Sequence, residues 1–83
     1  MNITADQARD MVTGAVRKIV PDADVASLPP DADLRRAFEL DSLDFLGFVE
    51  LLTQQSGVRI DEEDYPELRS MTTCVELLRR RST

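Results

Sequence analysis

The chain has 83 residues, enough for one domain around one small core, a size at which burial only just outweighs the conformational entropy lost on folding. Hydrophobic residues make up 42% and charged residues 31%, which predicts a soluble globular domain and excludes general disorder. The formal net charge of -6, with no basic stripe to displace counterions from phosphates, excludes ordinary nucleic-acid binding.

No apolar run approaches the length of a membrane span, so no membrane association is expected. The start MNITADQARD lacks the basic and apolar segments of a signal peptide, and a cytoplasmic location is the expectation. Cys74 is the single cysteine, which permits neither an internal disulfide nor metal-ligand spacing; it reads as a small apolar residue on a buried helix face.

In chain order, Thr4 and Gln7 have the spacing of a capping box. Ala8, Met11, Val12, Ala15, Val16 and Ile19 then recur at three and four, predicting a first helix of about four turns that Pro21 stops. A long connection follows over residues 21–40, in which only the segment DLRRAF suggests a helical turn. A connection of that length in so small a domain needs a reason. Asp41 is the expected N-cap for a second main helix over residues 42–55, ended by Gly57. Four acids at positions 61–64 open a short helix that Pro66 is expected to interrupt. Ser70 caps a last helix bearing Met71, Cys74, Val75, Leu77 and Leu78, and Arg79, Arg80 and Arg81 suit its C-terminal end. The expected fold is all-α: an antiparallel bundle of three main helices plus one short helix, with a long loop between the first two. It spans residues 1–83 as one domain, with frayed ends at 1–3 and 81–83.

The second main helix carries two apolar sets. Phe45, Phe48, Val49 and Leu52 fall at i, i+3, i+4 and i+7, the stripe of a helix packed on a core. Leu43 and Leu46 lie on another side, with Asp44, Gly47 and Glu50 alongside. They either form a docking surface or lie under the long loop.

The run Leu40-Asp41-Ser42-Leu43-Asp44 resembles the Asp-Ser-Leu signature of the acyl and peptidyl carrier proteins. The resemblance covers nearly the whole chain: a first helix ended by proline, a long loop, the signature, Val58-Arg59-Ile60 after Gly57, an acidic short helix and a last helix opened by Ser70. It implies that Ser42 takes a 4'-phosphopantetheine arm from coenzyme A through a phosphopantetheinyl transferase, with Asp41 and Leu43 beside the attachment point. The residue types fit that chemistry, because a serine hydroxyl forms a stable phosphodiester and a helix start favours a phosphate. The bland alternative for Ser42 is an ordinary helix-start residue.

The same resemblance implies a non-catalytic, monomeric carrier with no catalytic or metal-binding residues. It would serve an acyl- or aminoacyl-loading enzyme and a downstream synthase or transferase, with Asp44, Leu46, Gly47 and Glu50 facing the partner. An unmodified acidic adaptor that docks through the same helix is the competing reading. An esterase is excluded, since the chain has no histidine to act as base. A calcium loop at Asp22 and Asp24 is excluded as well, since Ser27 stands where the turn needs glycine.

The chain departs from many members of that family at three places. Glu39 stands two residues before the signature aspartate, where glycine is usual; Arg35 and Arg36 add positive charge to the preceding loop; and Gly47 replaces a common recognition glutamate. These differences point away from the general fatty acid enzymes and toward a specialised pathway.

Overall fold

A computed structural model describes residues 2–82. Three long helices form the bundle: α1 (Ala5–Ile19), α3 (Ser42–Ser56) and α4 (Met71–Arg81), with a short α2 (Leu34–Ala37) between the first two. No strand occurs among the described residues, and the expected all-α bundle stands. The second main helix expected from the sequence is α3.

The long helices are bounded by signals that their sequence carries. The Thr4 hydroxyl accepts from Gln7 N–H and the Gln7 side chain accepts from Thr4 N–H, which opens α1; its last residue is Ile19, two before Pro21. Gly57 closes α3 in the left-handed conformation, at φ 70°, which a glycine adopts without strain. Ser70 and Thr73 exchange side-chain hydrogen bonds at the start of α4.

Orientation follows from what meets across the helices. A Cβ on Gly47 would lie 3.5 Å from Ile19, at the end of α1, while one on Gly14 would lie 4.0 Å from Gln55, near the end of α3. Positions rising along α1 therefore meet positions falling along α3, so these two helices are antiparallel. Ile3 N–H, just before α1, donates to Ser82 just after α4, so α1 and α4 are antiparallel too. It follows that α3 and α4 run parallel, and the chain between them must return the length of the bundle over residues 57–70.

The core fills the space between the three: Val12 and Val16 from α1, Phe48 and Leu52 from α3, and Cys74, Leu77 and Leu78 from α4 are all buried. Leu34 and Leu68 complete it from the connections.

The long first connection has a structural reason. Pro30 C=O accepts Thr72 N–H at 3.0 Å, satisfying one of the free donors at the start of α4, and Leu34 N–H donates to Arg69 C=O at 2.7 Å. The connection thus straps the N-terminus of α4 to the bundle while inserting Ala23, Val25 and Leu34 into the core.

Three expectations are corrected. The first connection holds more structure than the single turn read from DLRRAF: a 3-10 turn at Val25–Ser27 precedes α2. Pro66 does not interrupt the acidic helix but lies inside it, because that element is a 3-10 turn, Glu62–Glu67, in which a missing N–H costs a single bond. Within the ends expected to fray over 1–3 and 81–83, Ile3, Arg81 and Ser82 are tied: Ile3 is in the core and bonded to Ser82, and the Arg81 guanidinium grips Asp64 at 2.7 and 3.1 Å. Met1 and Thr83 lie outside the described residues.

Candidate functional site

Ser42 is the first residue of the 15-residue α3, and it is exposed. Asp41, the N-cap, accepts Asp44 N–H at 2.8 Å, and the Asp44 carboxylate returns to Asp41 N–H at 3.3 Å. This reciprocal box satisfies the N3 donor, and Asp41 C=O takes Phe45 N–H. The N–H groups of Ser42 and Leu43, at the positive end of the helix, are left open to solvent. The Ser42 hydroxyl itself makes no hydrogen bond among the described residues.

At about 100° per residue, Ser42, Leu46, Glu50, Leu43 and Gly47 follow one another around α3 as a continuous arc that begins at Ser42, beside the buried face of Phe45, Phe48, Val49 and Leu52, and runs away from it. Leu43 is 79% exposed and Leu46 44%, so the long loop does not cover them. Gly47 is at the far edge of this arc, half-buried beside Ile19 of α1. The structure therefore brings Ser42, Leu43, Leu46, Glu50 and Gly47 onto one surface. Asp44 falls on the other side of Gly47, half-buried, with its carboxylate turned back to the cap.

On its other flank Ser42 opens onto a groove of about 610 Å³ between α3, α2 and the second connection. Phe45, Leu46, Tyr65, Pro66 and Leu68 form its apolar part, and Tyr65 meets Phe45 edge-on with ring centroids 5.3 Å apart. Arg35, Arg69 and Asp33 add charge to the same groove. The Arg35 guanidinium lies 4.7 Å over the Phe45 ring, at a distance typical of a cation-π contact. The contributions of Tyr65, Leu68 and Arg69 are not evident from sequence, because residues 65–69 reach α3 only through the return path of the second connection. A further hollow, between α1, the first connection and α4, does not include Ser42.

Cys74 has no part in this surface. It is fully buried in α4, and the loss of solvation pushes its thiol up to about 12, so it is not a nucleophile at neutral pH.

The exposed hydroxyl at a helix start, the two free N–H groups and the adjoining groove fit a phosphorylated arm on Ser42. A family model described as the phosphopantetheine attachment site matches residues 12–75, which takes in all of α3 and most of the bundle. No curated protein and no solved structure matches the chain. With the match extending over more than half of its length, the chain belongs to the family of acyl and peptidyl carrier proteins, whose members bear covalently attached 4'-phosphopantetheine.

Proposed function

We propose that Ser42 bears the arm and that the chain is a non-catalytic carrier, holding acyl, polyketide or aminoacyl intermediates for separate enzymes of a specialised biosynthetic pathway. The observation that carries this reading is the exposed, unbonded Ser42 hydroxyl at the first position of a long helix, inside the matched segment. In loading, Ser42 Oγ bonds to the pantetheine-side phosphorus of coenzyme A as the pyrophosphate P–O bond breaks, adenosine 3',5'-bisphosphate leaves, and the serine proton passes to the transferase. Once bound, the arm supplies the thiol that holds cargo as a thioester.

This chain's own residues present the attachment point. The Asp41–Asp44 box fixes the first turn of α3 so that Ser42 faces outward, and the free N–H groups of Ser42 and Leu43 offer partial positive charge to a phosphate. The arc of Leu43, Leu46 and Glu50 is the surface offered to the transferase, the loading enzyme and the downstream synthase. Only one acid, Glu50, stands in that arc beside two exposed leucines, which supports a dedicated partner that packs on the helix over the general fatty acid enzymes.

The exposed leucines would equally serve an unmodified adaptor. Incubation with coenzyme A and a broad-specificity phosphopantetheinyl transferase separates the two: intact mass rises by one phosphopantetheine for a carrier and stays unchanged for an adaptor.

A further inference from the structure

We infer that Arg35 and Arg69 clasp the phosphodiester on Ser42, so that the arm leaves the helix along the aromatic groove rather than straight into solvent. This rests on the attachment reading for Ser42. Arg9, Arg59, Arg80 and Arg81 are each committed to an ion pair with Asp6, Asp61, Glu67 and Asp64. Arg35 and Arg69 have no carboxylate partner among the described residues, and both line the groove that opens beside Ser42.

Arg35 is fixed by its side chain and Arg69 by its backbone. Arg35 rests on Phe45, whose ring is braced by Tyr65, and Phe45 stands one turn on from Ser42 on the same side of α3. Residues so spaced have Cβ atoms about 5–6 Å apart. The Leu34 N–H to Arg69 C=O bond joins the two backbones next to Arg35, so both guanidinium groups spring from adjoining chain. Asp33, the carboxylate in the same groove, already accepts Arg36 N–H as the cap of α2. Two cations without an ion pair thus line one groove in a chain whose net charge is -6, and an anion that enters the groove can pair with both.

The group that arrives on Ser42 is such an anion. Guanidinium pairs well with phosphate through its planar fork, and a tethered anion meets the site at an effective concentration on the order of millimolar, so even a weak clasp is occupied. The two arginines are positioning residues: they direct the arm over Phe45, Tyr65 and Leu68.

The test uses the whole ¹⁵N-labelled chain before and after loading, with intact mass confirming attachment. The arginine Nε–Hε cross-peaks of Arg35 and Arg69 are expected to move on loading, while those of Arg17 and Arg79, exposed and without ion pairs, stay in place. The movement should fade in about 1 M salt, where the Debye length is about 3 Å. In the Arg35→Gln/Arg69→Gln double variant, the rise in thermal midpoint that loading produces in the wild type should be lost. Loaded protein whose Arg35 and Arg69 peaks shift no more than those of Arg17 and Arg79 would overturn the clasp while leaving the Ser42 reading intact. No mass increase would overturn both.

Discussion

At the scale of single residues, Glu39 shows how a departure from the family pattern is accommodated. Its φ is 53°, in the left-handed region, because α2 must end there: Leu40 N–H turns back to Arg35 C=O at 2.9 Å, the six-to-one bond of a Schellman motif. The sequence displays the replaced glycine but not the need for one, since a four-residue helix leaves no periodicity from which its end can be read. A non-glycine residue in this conformation costs about 1–2 kcal/mol, part of which glycine returns through the greater freedom of its unfolded chain. Glu39→Gly is therefore expected to stabilise the protein by about 0.5–1 kcal/mol in urea unfolding. Destabilisation would mean that the Glu39 side chain makes a contribution of its own. Cys74 gives a second expectation at this scale. Native unloaded protein should react with a thiol reagent only as fast as it unfolds, and loading should add one rapidly reacting thiol, that of the arm. Rapid reaction before loading would contradict the burial of Cys74 in α4.

Among the elements, α3 is the most legible, because cap, glycine stop and apolar spacing all agree. Its buried face is the one the i, i+3, i+4, i+7 stripe marks, and Leu43 and Leu46 fall outside that stripe and are exposed. The second connection is the least legible. Its acids look like a solvated helix start, but Asp64 is buried, with its side chain only 6% exposed, and is gripped by Arg81 from α4. Nothing in local spacing pairs residues 17 apart; only the return of the chain beside the end of α4 does. The hydrogen bond from Asp61 N–H, followed by the Arg81 guanidinium, outweighs desolvation and holds the Asp64 carboxyl below its ordinary 3.8. A folded-state value below the unfolded one contributes stability above the unfolded value, and this is lost as the pH falls through the folded one. The stability advantage of wild type over Asp64→Asn should accordingly be constant above about pH 5 and shrink as the pH drops below 3.8. An advantage independent of pH would show that the carboxylate's charge is not what matters there.

For the molecule as a whole, the charge pattern and the exposed apolar arc together bear on partner choice. Glu50 is the one acid in the arc, Asp44 is drawn into the cap, and Arg35 and Arg69 bring positive charge to the flank of Ser42. Long-range steering toward a basic partner is weakened by this arrangement, while Leu43 and Leu46 supply area for packing. Under the proposal of a dedicated partner, loading by that enzyme should suffer more from Leu46→Ala than from Glu50→Gln, and the wild-type rate should depend little on salt. A larger loss with Glu50→Gln, or a steep fall with salt, would show that charge still governs recognition.

All of this depends on Ser42 as the point of attachment, because the fold builds its capped helix start, its two free N–H groups and its groove around that residue. The most direct measurement is the intact mass of wild type and Ser42→Ala after incubation with coenzyme A and a phosphopantetheinyl transferase. Ser42 is exposed and free of hydrogen bonds among the described residues, so the variant is expected to fold like the wild type, which its circular dichroism can verify. A gain of one phosphopantetheine in the wild type and none in Ser42→Ala is the predicted result; a gain in Ser42→Ala as well would place the arm on another residue and contradict the account.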